Sequence, residues 1–222
     1  MLFRSLGGCV LVSLGLLYQA FRRVRRTNEA LAHSNASLQR QTETDPLTGL
    51  SNRRHFLAVM EQRDRAADEP TRAEGFRGAL MMIDIDHFKS VNDRFGHDAG
   101  DRALRLIAHQ IQESMRSYDV AGRFGGEEFV VLMRCDEEVH AGEAFERLRL
   151  NTERYVFPQV GRITVSIGFT EVRAGDAPAA AFERADKAVY HAKAHGRNQV
   201  HNYAALVASG VIEETAQLSD ME

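Results

Sequence analysis

The chain has few cysteines and no excess of basic residues. Its two cysteines, Cys9 and Cys135, lack metal-ligand spacing and cannot form a disulfide framework, which indicates a reducing compartment. Lysine and arginine together number 28, aspartate and glutamate 31, and the formal net charge is -3. This balance argues against a protein that binds nucleic acid by neutralising its phosphates, so we expect no nucleic-acid partner. The 222 residues suffice for one well-buried domain with an appendage.

Charged residues are also absent from Ser5 to Phe21, an apolar run that is followed by Arg22, Arg23, Arg25 and Arg26. The run is at the low end of the length that crosses a hydrocarbon core of about 30 Å. We predict a transmembrane segment over residues 1–21, and the arginines favour a C-terminal portion in the cytoplasm. The expected location is the inner (cytoplasmic) membrane, crossed once. A secretory signal peptide is disfavoured by the heavier charge after the run, and an interfacial anchor by the lack of a polar face.

Residues 22–44 are compatible with a helix that connects this segment to a folded domain. Val24, Leu31 and Leu38 are spaced by seven and form one thin heptad stripe, which is typical of a weak coiled coil. A solvated linker helix without a partner explains the stripe equally well. We place the folded domain over residues 45–205 and expect the acidic tail, residues 206–222, to be disordered.

The most informative motif is Arg-Phe-Gly-Gly-Glu-Glu-Phe over residues 123–129, which is followed by an apolar run to Met133. Gly125 and Gly126 favour a hairpin turn and let the backbone approach a ligand closely. Strands on either side would hold Glu127 and Glu128 rigidly at the tip of this turn. The arrangement predicts a place where a metal ion and a phosphate meet.

This motif resembles the signature of the GGDEF family, the diguanylate cyclases. The segment from Asp45 to Arg54 fits the family's D-x-L-T-G-L-x-N-R-R at every specified position, and the resemblance extends to about Tyr203. It implies an α+β fold, the palm-like β-α-β-β-α-β of nucleotidyl cyclases and polymerases, with a central antiparallel sheet flanked by helices. The residue pattern is compatible with that fold. It predicts helices over 53–68, 102–115, 136–154 and 178–194, strands over 79–86 and 163–172, the hairpin, and a last strand near Val200.

The strand over 79–86 carries Asp84 and Asp86, which strand alternation places on one face. Brought opposite the hairpin acids, these carboxylates would form the hard oxygen site that Mg²⁺, or Mn²⁺, prefers. In the simpler interpretation, one aspartate caps the next turn and the other faces solvent. The resemblance implies that Asp84, the carbonyl of Ile85 and Glu127 bind the metal, and it assigns no role to Asp86, which leaves Asp86 as the candidate for the cap of the next turn.

Residues 95–101 fit the family's F-G-H-x-x-G-D, and the resemblance implies that Asn92 and Asp101 read the guanine edge of GTP. A carboxylate can accept from both N–H groups of that edge, whereas adenine offers no such pair. The resemblance also places Lys193 and Arg197 on the β and γ phosphates, and it adds four more substrate-binding residues, Phe88, Lys89, Gly125 and Gly126. Ordinary structural roles remain open: a turn end at Asn92, a helix cap at Asp101 and helix-dipole contacts for the two cations.

Together these features imply a diguanylate cyclase that joins two GTP into cyclic di-GMP and releases two pyrophosphates. Each domain would hold one GTP, so the reaction requires a homodimer. Glu127 and Glu128 are the candidate catalytic residues, and Glu128 either aids deprotonation of the 3'-hydroxyl or belongs to a second metal site. One alternative is a catalytically silent receptor for GTP or cyclic di-GMP; another is an adaptor that works through helix pairing alone.

An inhibitory site is also expected. Arg116 and Asp119 have the R-x-x-D spacing of the family's product-binding site and lie shortly before the hairpin. Arg147 matches the position of a further arginine that family members use there. The other interpretation is a surface ion pair between Arg116 and Asp119, which would contribute little to stability.

Overall fold

The computed structural model describes residues 21–23, 25, 43–67, 78–134, 138–172 and 176–214. By its contacts the chain divides into two compact units, Met1–Thr42 and Glu43–Glu222. The heptad stripe of the predicted connector lies outside the described residues, as does the predicted transmembrane segment except for Phe21.

The predicted localisation in the inner membrane is contradicted. In the part of the chain that the structure describes, no helix combines the length and the apolar character that a bilayer crossing requires. The prediction rested on the apolar run from Ser5 to Phe21, of which the described residues include only Phe21.

Strands make up the centre of the second unit. Its described residues form β1 (Ser51–Asn52), β2 (Gly78–Ile85), β3 (Val120–Arg123), β4 (Glu128–Arg134), β5 (Val156–Phe157), β6 (Gly161–Arg162), β7 (Val165–Val172) and β8 (Val200–Asn202). Six of these strands form one sheet in the order β1-β3-β4-β2-β7-β8, whereas β5 and β6 pair separately. The apolar strand β2 is therefore central.

The predicted α+β fold is confirmed, but the sheet is mixed and not purely antiparallel. β2 pairs antiparallel with β4 and with β7, and β3 pairs antiparallel with β4. At the two edges, β1 runs parallel to β3 and β8 runs parallel to β7. The last strand predicted near Val200 is confirmed as β8, whereas β1 has two residues and is too short for a pattern of alternating side chains to reveal it.

Helices surround the sheet: α1 (Arg53–Ala67), α2 (Phe88–Phe95), α3 (His97–Ser114), α4 (Glu138–Arg154), α5 (Pro178–Ala194) and α6 (Tyr203–Ala208). The helix predicted from residue 102 begins earlier, at His97, because Gly96 with a φ of 82° separates it from α2. Helix α6 has no counterpart in the predicted pattern. It crosses the expected domain boundary at residue 205, and its residue Leu206 is buried beside Ala188 of α5.

Different helices cover the two faces of the sheet. Alternate residues of β2 from Ala79 to Ile85 pack in the main core with α3 and α4. Leu80, on the other face, packs with residues of α1 and α5. Alternation along the strand puts Asp84 on the same face as Leu80, so the end of β2 presents a carboxylate towards α5.

Helix α5 approaches the sheet closely at Gly168 of β7. A Cβ at Gly168 would overlap the backbone of Ala185 and Val189. Glycine is therefore required for this packing distance. The close contact fixes α5 over the sheet, so that its last turn can reach the end of β2.

Candidate active site

The turn that contains Gly125 and Gly126 lies beside the end of β2. Asp84 is opposite Glu128 in the register of the sheet, and the main-chain N–H of Ile85 donates to the carbonyl oxygen of Glu127 over 3.3 Å. Glu127 is half-buried and Glu128 is exposed. The structure thus brings these four predicted site residues to one corner of the sheet.

Arg123 holds the turn, although the sequence pattern assigned it no role. Its guanidinium donates to the carbonyl oxygens of Gly125, at 3.2 Å, and Gly126, at 2.7 Å. It also forms an ion pair with Asp45 at 3.2 Å. The turn is thereby tied to the segment that opens the domain. An arginine directly before the glycine motif was visible in the sequence, but its partner lies 78 positions away.

An ion pair joins the predicted metal site to the predicted phosphate site. Lys193 Nζ lies 2.6 Å from Asp84 Oδ2, and Asp84 is only 6% exposed. Burial raises the pKa of Asp84; the Lys193 contact opposes this effect, and the charges of Glu127 and Glu128 add to it, so the pKa remains above its ordinary value. The charges of Glu127 and Glu128 thus add to that of a buried carboxylate, and this set of acids would favour a cation.

The same corner has the donor atoms that a divalent cation needs. Among the described residues, no cluster of three or more histidine, cysteine, aspartate or glutamate side chains is arranged to hold a metal ion. The predicted ligand set does not need such a cluster, because it consists of two carboxylates and the main-chain carbonyl of Ile85. Such hard oxygen donors suit Mg²⁺, which takes waters and substrate phosphates as its remaining ligands. The excess of carboxylates around Asp84 fits that requirement.

The two residues predicted to read guanine lie on successive helices, Asn92 on α2 and Asp101 on α3. Gly100 makes room for Asn92, since a Cβ at this position would overlap Asn92 Oδ1. Both residues lie inside their helices, which rules out a turn end at Asn92 and a helix cap at Asp101. Of the other predicted substrate-binding residues, Lys89 is exposed, whereas Phe88 is 5% exposed and packs in the core.

Arg197 lies in the loop after α5. Its backbone is left-handed, with a φ of 62°, and its main-chain N–H donates to the carbonyl oxygen of Ala192 over 2.9 Å. The next residue, Asn198, donates its main-chain N–H to Asp86 Oδ2 over 3.0 Å. The interpretation of Asp86 as a cap of the following turn is corrected by this contact, because the carboxylate joins the loop to the sheet.

The predicted inhibitory residues Arg116 and Asp119 belong to a turn before β3. The main-chain N–H groups of Arg116 and Arg134 both donate to the Asp119 carboxylate, over 2.9 and 3.1 Å. The Arg116 guanidinium donates to the Tyr118 hydroxyl over 2.6 Å. Asp119 therefore orders the turn through main-chain contacts, and Arg147 of α4 lines a surface cavity beside the end of α3.

Comparison with known proteins places the chain in a family. Residues 42–199 match the family model described as "Diguanylate cyclase, GGDEF domain". Diguanylate cyclase DgcP of Pseudomonas aeruginosa is 42% identical over 174 residues, which cover 76% of this chain and 25% of that protein. The chain spans less than half the length of the curated relatives it matches.

Solved structures share the fold. The coiled coil and GGDEF domain of DgcB from Caulobacter crescentus, in complex with c-di-GMP, has a TM-score of 0.75 at 31% identity, with 84% of this chain and 98% of that chain covered. The active GGEEF domain of a diguanylate cyclase from Vibrio cholerae has a TM-score of 0.62 at 32% identity, with 69% and 97% covered. The chain therefore belongs to the GGDEF-domain family of diguanylate cyclases.

Proposed function

We propose that residues 45–205 form a diguanylate cyclase domain, which joins two GTP into cyclic di-GMP and releases two pyrophosphates. The observation that carries this proposal is the meeting of Asp84, Lys193 and the turn acids Glu127 and Glu128 at one corner of the sheet. Family membership supports the reaction. The related Vibrio cholerae domain, which has the same Glu-Glu form of the motif in its name, is described as active.

Asp84, the carbonyl of Ile85 and Glu127 would hold Mg²⁺ or Mn²⁺. When bound, such an ion polarises a phosphoryl oxygen and favours ionisation of a hydroxyl. Asp84 would then have the ion as its counter-charge, which would leave Lys193 to contact a phosphate. The ion pair at 2.6 Å would then be a contact of the nucleotide-free site.

The remaining residues would bind and orient GTP. Lys193 and Arg197 would contact its β and γ phosphates and stabilise the negative charge of the departing pyrophosphate. Asn92 and Asp101 would bond the guanine edge. A hydrogen bond left unmade in a desolvated pocket costs about 1–3 kcal/mol, which is enough to favour GTP over ATP. Glu128, exposed at the start of β4, would accept the proton of the attacking 3'-hydroxyl.

Two domains are needed because each holds one GTP, whereas the product contains two nucleotides. The two sites would face each other, so that each 3'-hydroxyl attacks the α-phosphate bound in the other domain. Two such attacks form the two phosphodiester bonds and release two pyrophosphates. The activity per mole of protein should therefore rise with protein concentration and level off once the dimer predominates.

Chromatography of the nucleotides after incubation of the protein with GTP and Mg²⁺ tests this function. Wild-type protein should form cyclic di-GMP, and Glu127→Gln should form none. Glu183→Gln, which removes a carboxylate from an exposed ion pair on α5, serves as the matched control and should behave as wild type. Absence of product from the wild type at concentrations that enforce dimers would refute the proposal.

The proposal includes inhibition by the product. Arg116 and Asp119, together with Arg147, would bind the phosphates and guanine edges of cyclic di-GMP. The turn at Asp119 supports this assignment, because its two main-chain contacts fix the backbone that carries the Arg116 side chain. A preordered turn lowers the entropy that binding must offset.

A further inference from the structure

Asp86 is a buried carboxylate that joins separate parts of the chain. It is 5% exposed and accepts hydrogen bonds from Thr164 Oγ1 at 2.7 Å and Ser166 Oγ at 2.6 Å. Its third donor is the main-chain N–H of Asn198, at 3.0 Å. The hydroxyls belong to β7 and the residue before it, whereas Asn198 lies between α5 and β8. The loop after α5 is thereby tied to the sheet, two residues from Asp84.

A second set of contacts reaches Asn198 from helix α4. Arg149 Nη1 donates to Asn198 Oδ1 at 2.6 Å, and Asn198 Nδ2 donates to Glu153 Oε1 at 2.8 Å. Arg149 is 8% exposed and is itself held by Glu146 at 2.6 Å and Glu153 at 3.0 Å. Both the main chain and the side chain of Asn198 are therefore fixed.

The backbone of this loop needs such support. Gly196, Arg197 and Asn198 have φ values of 113°, 62° and 49°. Glycine and asparagine tolerate positive φ, but an arginine is disfavoured there. A strained backbone of this kind persists only where the surrounding contacts over-determine it. Asn198 directly follows Arg197, and the contacts of its main chain and side chain supply this support.

We propose that Arg149 is a positioning residue: together with Asp86 it fixes Asn198, and through Asn198 it sets the backbone of Arg197 for contact with the outer phosphates of the nucleotide. The inference rests on the proposed function to the extent that Arg197 is taken to bind GTP phosphates. Arg149 acts through Asn198 and has no contact with substrate in this scheme. Loss of the anchor should weaken the phosphate contacts and leave those to guanine unchanged.

Two nucleotides that differ in their phosphates separate these effects. 3'-Deoxy-GTP carries the β and γ phosphates but lacks the hydroxyl needed for condensation, and GMP carries neither outer phosphate. Calorimetry with Mg²⁺ present gives the affinity of the full chain for each, in the wild type and in Arg149→Met and Asn198→Gly. The glycine variant keeps the left-handed backbone and the N–H bond to Asp86, so it removes the side-chain anchor alone. Lys187→Met, in an exposed ion pair of α5, is the matched control.

Arg149→Met and Asn198→Gly should each lose affinity for 3'-deoxy-GTP by about tenfold, as expected for one weakened charge-assisted contact, and keep their affinity for GMP. Lys187→Met should match the wild type with both nucleotides. An equal loss for both nucleotides, or no loss for 3'-deoxy-GTP, would overturn the positioning role. If Arg149→Met does not fold, the two affinities of Asn198→Gly are sufficient to test the positioning role. If the variants lose affinity for 3'-deoxy-GTP alone but the wild type makes no cyclic di-GMP, the cyclase proposal is refuted and the positioning role of Arg149 stands.

Discussion

Lys193 Nζ lies 2.6 Å from Asp84 Oδ2, so a cation on the last turn of α5 pairs with a buried carboxylate on the central strand β2. The proposed site uses the carboxylate for a metal ion and the cation for a phosphate. Their contact with each other thus keeps both charges in place at the site before substrate binds.

Lys193→Met should lower kcat/KM for GTP by about 100-fold, because the phosphates would lose the cation proposed to stabilise the departing pyrophosphate. Lys193→Arg should restore part of this loss, since it keeps a positive charge at the site. Initial rates of GTP turnover measure the effect, and circular dichroism checks that each variant is folded. A folded Lys193→Met with wild-type kcat/KM would show that Lys193 has no role towards substrate.

Gly100→Ala should raise KM for GTP by about tenfold with little change in kcat, because the added Cβ would displace Asn92 Oδ1 from its place against α3. Gly142→Ala is the matched control, another helical glycine, where the Cβ would make an ordinary contact with Phe169 at 3.4 Å. It should leave KM unchanged. Steady-state kinetics with GTP distinguish the two variants. Equal KM values would show that the position of Asn92 does not matter for binding.

Asp45→Asn should make the stability of the domain less dependent on pH. Burial would raise the pKa of Asp45, but hydrogen bonds from Thr48 and the contacts with Arg123 outweigh it, so the pKa is lowered. A carboxylate whose pKa is lower in the folded state stabilises the fold above its ordinary pKa, and this contribution is lost as pH falls through the folded value.

The wild type should therefore exceed Asp45→Asn in free energy of unfolding by about 1–2 kcal/mol at pH 7, and the difference should narrow below about pH 4. Urea unfolding at pH 7 and pH 3 measures both values. A difference of the same size at the two pH values would contradict the charge-based account of the contact between Asp45 and Arg123.

Arg116→Ala should relieve inhibition by cyclic di-GMP and leave the initial rate unchanged, because Arg116 lies outside the proposed active site. The concentration of product that halves the rate should rise at least about tenfold, as expected for loss of a charge-assisted contact to phosphate. Arg162→Ala, at an exposed position of β6, is the control and should be inhibited as the wild type is. Unaltered inhibition of Arg116→Ala would remove Arg116 from the inhibitory site.

The parts of the site that could be predicted from sequence lie within short segments. Asp84 and Ile85 are neighbours on one apolar strand, and Glu127 and Glu128 follow two glycines in a hairpin, so local periodicity and turn chemistry suffice to place them. The central strands and the helix Pro178–Ala194 follow from patterns of the same local kind.

Contacts between distant segments of the chain could not be predicted from such local patterns. Arg123 meets Asp45, and Arg149 meets Asn198, only after the sheet and helices have packed, and no local pattern encodes either pair. Asp86 likewise looks like a cap when its strand is read alone, although its three donors come from other elements. The two-residue edge strand β1 is likewise fixed by its neighbour in the sheet and not by alternation within it.

The stoichiometry of GTP turnover by the full chain and by Asp84→Asn shows whether the corner of the sheet around Asp84 condenses two GTP. The wild type should form one cyclic di-GMP for every two GTP consumed and release two pyrophosphates with it. Asp84→Asn, which removes a charge and keeps the shape of the side chain, should form no cyclic di-GMP. Release of pyrophosphate without cyclic di-GMP in the wild type, or equal product from both proteins, would show that Asp84 is not part of a cyclase site.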